Sequence, residues 1–273
     1  AKFSDEVRLV AAKIGSTFEA CKSTFRSTLH ADGIEIEGDV FLRGGSIFSG
    51  GVIFPGAKIG SDVDFGASRF DSEVNFANAR INGEIRLDDS AIRLEKPEWG
   101  LNAFLNLQNA KLGALHGSVD AWRSESGRWV ARELDGLRFD RAGGGFGGDC
   151  LEDASASILV EWLEVDRLQN GKVENPCSFS PSPYRALAQA LDAGGQMSKA
   201  RHIRWALARR EKRSMRWLVN EFPYFNIMKL AQNISGRFIG YGYKQSRGLA
   251  WFFILIFVFA LIGHLMAGAW NGS

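Results

Sequence analysis

Several stretches of this chain carry residue types whose spacing could do chemistry. Gly143-Gly144-Gly145-Phe146-Gly147-Gly148 satisfies G-x-G-x-x-G, a spacing that lets a backbone cradle a pyrophosphate at a helix N-terminus. Leu137-Arg138-Phe139 would be the strand before it, with Glu161, Glu164 and Asp166 as acidic ribose contacts. No parallel βαβ series follows, so the segment reads as a glycine-rich exit from a repeat, and no cofactor is assigned. Ile239-Gly240-Tyr241-Gly242 has the letters of a potassium-channel filter. A filter needs a membrane helix and a pore helix before it, and residues 215–234 are too polar to span. Asp62, Asp64, Asp71 and Glu73 recur at outward positions and read as a solvated face, with no nucleophile or metal set beside them. His30, His116, His202 and His264 form no HxxxH, and Cys21, Cys150 and Cys177 form no CxxC. No catalytic or metal-binding residue is assigned, and the sparse cysteines point to a reducing compartment.

The elements that carry these residues follow an internal repeat. Units of eleven begin at Ala1, Ala12, Ser23, Ile34, Ser46, Ala57, Ser68 and Ala79, with Gly45 as one extra residue. The third position alternates strictly: Phe3, Ile14, Phe25, Ile36, Phe48, Ile59, Phe70, Ile81. The seventh and ninth positions are apolar, and the fifth is small or acidic, as in Ser27, Gly38, Gly50 and Ser61. Apolar residues two apart predict short strands, and small residues between them predict corners. Strict Phe/Ile alternation makes the true period twenty-two, with Phe stacked on Phe along one face and Ile on Ile along the opposite one. The fold class is therefore mainly β: a parallel β-solenoid of about 22 residues per coil, with rungs about 4.8 Å apart.

Two insertions interrupt the pattern. One adds nine residues before Leu105-Asn106-Leu107. The other adds 21 before Leu137-Arg138-Phe139, aligned with that same stretch. They bring Trp99, Trp122 and Trp129, which either cover the end of the solenoid core or form loops that bind a protein partner. The chain opens at Ala1 inside a repeat, without an initiator Met or signal peptide, and a segment upstream is expected.

After the solenoid the period becomes helical. Pro183 suits a helix start, Leu187, Ala190 and Leu191 form a stripe, and Gly194-Gly195 ends the helix. A second helix carries Lys199, Arg201, Arg204, Arg209, Arg210, Lys212, Arg213 and Arg216 against Glu211 alone. Overall net charge is +2, yet residues before Tyr184 hold 20 Lys+Arg against 28 Asp+Glu, and the remainder holds 13 against 3. A basic tail on an acidic body predicts contact with anionic lipid headgroups, and no recognition module points to nucleic acid. Residues 249–269 contain no Asp, Glu, Lys or Arg, long enough to cross about 30 Å of hydrocarbon. Tyr241, Tyr243, Lys244, Arg247, Trp251 and Trp270 are the expected membrane-interface residues. The expected organisation is a solenoid over 1–150, a linker or cap over 151–183, a basic amphipathic neck over 184–248 and one transmembrane helix over 249–270. Lys229, Arg237, Lys244 and Arg247 precede the span, so the positive-inside rule puts the solenoid on the cytoplasmic side of the membrane.

The units Ala12-Lys13-Ile14-Gly15 and Ala57-Lys58-Ile59-Gly60, the stretch SPSPYRALAQALDAGG with its basic helix, and GYGYKQSRGLAWF before the apolar run resemble bacterial membrane-anchored proteins with pentapeptide-like repeats. That resemblance implies a membrane-tethered scaffold or protein-binding module without catalysis. It also implies two alternatives: a membrane-associated oxidoreductase, the label such sequences often carry, or an accessory subunit of a membrane channel.

Overall fold

The computed structural model describes residues 1–88, 95–143, 151–164 and 179–220. Residues 1–88 and 95–143 form a stack of short strands, each rung paired in parallel with the next. Lys2–Phe3 pairs with Thr24–Phe25, and that with Ile47–Phe48, Arg69–Phe70 and Glu98–Trp99. The strands make a five-stranded, a six-stranded and a nine-stranded sheet. The nine-stranded sheet wraps two faces, because Arg80–Arg86 and Lys111–His116 run unbroken through a corner. About six turns result, averaging roughly 23 residues once insertions are included. The regular coils keep the 22-residue register: Ile14 pairs with Ile36 and Ile59 with Ile81.

Side chains explain why this sequence coils. Successive rungs stack Phe3, Phe25, Phe48 and Phe70 with ring centroids 4.7, 5.0 and 5.1 Å apart, the rung spacing itself. Ile36, Ile59 and Ile81 form the opposite wall, each nearly inaccessible. Corners are of two kinds. At the fifth position a small residue lets one coil settle on the next: a Cβ on Gly50 would stand 2.3 Å from the Ser27 carbonyl carbon. At the eleventh position the chain turns through the left-handed region. Ala11, Lys22, Gly33, Gly56, Ala67, Asn78, Asn109 and Gly136 all have φ between 50 and 70°. The amide of the following residue closes the turn, as when Ala57 N–H donates to the Phe54 carbonyl at 3.2 Å, the geometry of a type II turn.

The insertions differ from the sequence expectation. Trp99 is not in a loop. It pairs with Phe70 and takes the next place in the phenylalanine stack, 5.3 Å from the Phe70 ring. The second insertion is far shorter than expected. Phe139 pairs with Leu112, 27 positions back, so that coil has five residues beyond 22, not 21. Leu137-Arg138-Phe139 thus continues the isoleucine wall, while Ala131–Glu133 pairs with Phe104–Asn106. The apolar-x-apolar pattern at 137–139 mimics the strand at 105–107, because the residue that truly follows Leu105 in its column is Arg132.

Among the described residues three α-helices follow: α1 (Ala156–Leu163), α2 (Ser182–Ala193) and α3 (Met197–Asn220). Pro183 lies in the first turn of α2, and Gly194 with Gly195 (φ 77°) ends it. Contacts divide the chain after Ile203, so α2 belongs to the same compact unit as the solenoid; Leu187, Ala188 and Leu191 are buried there. The second unit begins at Arg204, inside α3. Among the described residues no helix is long and apolar enough to cross a membrane. The expected span at 249–270, with Tyr241, Tyr243, Lys244, Arg247, Trp251 and Trp270, lies outside the described residues, as do residues 144–150 of the glycine-rich segment.

Candidate functional site

Three places among the described residues of the solenoid gather polar chemistry, and the first is a groove along the isoleucine wall. Its outward column is set by strand register: Lys13, Glu35, Lys58, Arg80, Lys111 and Arg138 stand on successive rungs. Five of these six are cationic and exposed, on a body with excess acid. Glu35 bridges Lys13 at 3.0 Å and Lys58 at 2.7 Å. Hydrogen bonds from Lys58 and then Lys13 hold its carboxyl down at about 2. Gly15 and Gly60 lack side chains beside the column, leaving a trough of about 470 Å³ flanked by Glu37 and Asn82. Gly60 is required there, since a Cβ would lie 2.0 Å from the Glu37 carbonyl oxygen.

The second place is the closing end of the solenoid, where the sequence-selected tryptophans lie. Trp99, Trp122 and Trp129 are 3, 1 and 8 % exposed. The Trp99 indole N–H donates to the Ala121 carbonyl at 2.7 Å and pins the short helical turn Val119–Trp122. Arg123 pairs antiparallel with Trp129 and lays its guanidinium 3.9 Å over that ring. Trp129 donates to Glu161 of α1 at 2.7 Å. Sequence reasoning missed the centre of this cluster, Arg132. It occupies the inward column of Val7, Leu29, Val52, Val74 and Leu105, yet is 4 % exposed. Its guanidinium sits 5.6, 5.4 and 5.0 Å from the rings of Trp122, Trp129 and Trp162. It donates to the carbonyls of Val130 at 3.1 Å and of Trp162 at 2.6 Å. The latter is an end carbonyl of α1, where the helix dipole favours a cation. Burial, with Arg123 nearby, pulls its pKa down to about 9, so it stays charged at neutral pH. The signal available in sequence was the tryptophan cluster around one arginine, which the apolar template passes over.

The outward carboxylates also depart from expectation at one position. Asp64 is fully buried. It takes a hydrogen bond from Arg43, whose guanidinium lies 4.0 Å over Phe41, and stands 4.0 Å from Arg86. Burial pushes its pKa up, against the pull of Arg43 and Arg86. Arg86 reaches Asp62 at 2.8 Å and Glu84 at 3.4 Å. This face is a charge network between rungs, where solvated single carboxylates were expected. Asp64 is covered by its own column: Phe41 stands on the rung before and Arg86 on the rung after, and Arg43 lies over Phe41 and pairs with the carboxylate. Among the described residues no His, Cys, Asp or Glu group is arranged to hold a metal ion.

No curated protein and no solved structure matches the chain. Residues 44–91 match the family model described as pentapeptide repeats, nine copies. The described strands build a parallel β-solenoid, and one stretch of it is similar to pentapeptide repeats.

Proposed function

We propose that this chain is a membrane-tethered scaffold, a protein-binding module whose docking face is the basic column on the isoleucine wall. One observation carries the binding half: five cations concentrated on six consecutive rungs of an otherwise acidic solenoid. Its partner is an acidic helix. Same-face side chains of a helix recur about 4.5 or 6.0 Å apart along its axis, close to the solenoid's rung spacing of about 4.8 Å. Glutamates at i, i+3 and i+7 therefore meet Arg80, Lys111 and Arg138 in turn. The three indoles offered by sequence as partner contacts face inward, which leaves the column as the accessible polar feature.

The tether rests on the sequence. In this reading the basic α3 lies against anionic headgroups and Tyr241, Tyr243, Lys244 and Arg247 sit at headgroup depth. Residues 249–270 span a bacterial cytoplasmic membrane between Trp251 and Trp270, with the solenoid on the cytoplasmic side. Two experiments separate the halves. A cysteine placed at Ser273 should react with a membrane-impermeant thiol reagent in intact cells, and one at Ser214 should not; the reverse pattern removes the cytoplasmic scaffold. For binding, a synthetic helix with glutamates at i, i+3 and i+7 should bind the full chain in detergent more tightly than a peptide of the same composition with the glutamates spread around the helix. Arg80→Glu, Lys111→Glu and Arg138→Glu together should abolish that preference, and equal binding of both peptides would remove the column as a docking face.

A further inference from the structure

We infer that the Arg132 cluster is a binding site for a small monovalent anion, a halide or the carboxylate of a one-carbon or two-carbon acid. The argument begins with charge. An arginine is almost never fully buried unless it is paired, and a buried ion without a counter-charge is strongly disfavoured. Every described acceptor of the Arg132 guanidinium is a backbone carbonyl, from Val130 and Trp162. The neighbouring charge that acts on it is a second cation, Arg123. Glu161, across the cluster, already accepts from the Trp129 indole at 2.7 Å and lies 3.9 Å from Arg123. By contrast, buried Asp64 has two guanidiniums within 4.0 Å.

The second observation is hydrogen-bonding capacity. Arg132 Nε, Trp122 Nε1 and Trp162 Nε1 are all buried and have no acceptor among the described residues. These belong to three side chains in mutual contact: the Trp122 and Trp162 rings meet edge to face at 5.3 Å, and both lie within 5.6 Å of the guanidinium. Each of the three atoms can only donate. Three unused donors, one on the buried cation itself and two on the indoles against it, define the complement: a compact group that only accepts and carries negative charge. A metal cation is excluded by the same inventory. A neutral polar ligand would bring donors that find nothing to bind. The indole walls and burial exclude a large, strongly hydrated dianion.

The site also has a structural consequence. The anion sits where α1 meets the edge rung of the six-stranded sheet, since Arg132 joins Ala131–Glu133 to the end of α1. Occupancy therefore secures the closing end, and binding to the folded state alone raises stability by mass action.

The test uses the full chain in neutral detergent with sodium gluconate as the bulky reference salt. Gluconate is replaced stepwise by sodium bromide, sodium formate or sodium sulfate at constant ionic strength. Bromide or formate should raise Tm along a saturating curve, and bromide should quench part of the tryptophan fluorescence with the same midpoint. Sulfate should do neither. Bromide without formate selects a halide; formate without bromide selects a carboxylate. Arg132→Met should lose both responses. Should that variant fail to fold, Trp162→Phe keeps a ring in place, removes one N–H, and should weaken bromide binding about fivefold. A linear response equal in all salts, or a saturating response that survives Arg132→Met, overturns the site; so does no response at all, which would mean that the chain supplies its own counter-charge.

Discussion

The regular coils and the closing end of this solenoid bury charge in opposite ways. Within the coils, the neighbouring rung supplies a partner. Asp64 receives Arg43 from the coil before and Arg86 from the coil after, each about 22 residues away. Glu35 receives Lys13 and Lys58 by the same geometry. Among the described residues no further rung follows in that sheet, and Arg132 is met by aromatic faces, the Val130 carbonyl and one end carbonyl of a helix. The repeat itself neutralises charge, because a stack aligns every position with its equivalents above and below. Where the stack stops, the protein must provide substitutes of another kind.

The sharpest way to break the contrast is to put a charge where no rung can pair it. Ile59 is 1 % exposed between Ile36 and Ile81. Ile59→Asp places a carboxylate in a dry apolar wall and should cost on the order of 4 kcal/mol or more. Circular dichroism with denaturant should show the variant unfolded, or the midpoint far below the parent's. A variant that melts like the parent would mean that the ladder does not hold the fold.

The next largest effect separates the two buried charges. Arg43→Met strips Asp64 of its hydrogen-bonded partner and should cost about 3 kcal/mol. Arg132→Met removes a buried cation that has no described acidic partner and replaces it with an apolar chain of similar length. In gluconate its stability should stay within about 1 kcal/mol of the parent, since isosteric apolar replacement of buried ions is often neutral. Denaturant midpoints compare the two directly. Equal losses would mean that the end is neutralised as the coils are.

How much of this was legible in sequence follows from the same contrast. The phenylalanine and isoleucine columns announced the coil because twenty-two-residue alternation has no other cause. They located the strands correctly through Ile81, and Leu105 as well. The eleventh-position turn was present too, as Gly33, Gly56, Asn78, Asn109 and Gly136, residues that tolerate positive φ. Ala11, Lys22 and Ala67 hid it, because they adopt the same conformation under the constraint of their neighbours. Asp64 was misread because outward direction predicts exposure only when long side chains on the neighbouring rungs, here Arg43 and Arg86, do not fold over it. Arg132 was invisible for a deeper reason: an apolar template rejects the one inward residue that is charged. The register slipped to Leu137 as a result, and the insertion grew from five residues to 21.

The finest test compares two carboxylates by pH. Glu35 has its pKa held at about 2, below its ordinary 4.5. The folded state therefore binds fewer protons than the unfolded chain between those values. Its contribution is present above pH 4.5 and fades as the pH falls toward 2. Asp64 runs the other way, because burial raises its pKa above 3.8. The folded state holds that proton longer, so the contribution is complete at low pH and is lost as the pH rises through the folded value. Glu35→Gln should flatten the acid side of the stability profile slightly, and added salt should mimic it, since Lys13 and Lys58 are exposed. Asp64→Asn should instead remove the fall on the rising side and respond little to salt. Carboxyl chemical shifts followed across pH 2 to 7 would read both groups separately. If Glu35 titrates near 4.5, the lysine bridges on the isoleucine wall do not persist in solution. The column would then present five independent cations, and the acidic-helix partner would gain two more contacts at Lys13 and Lys58.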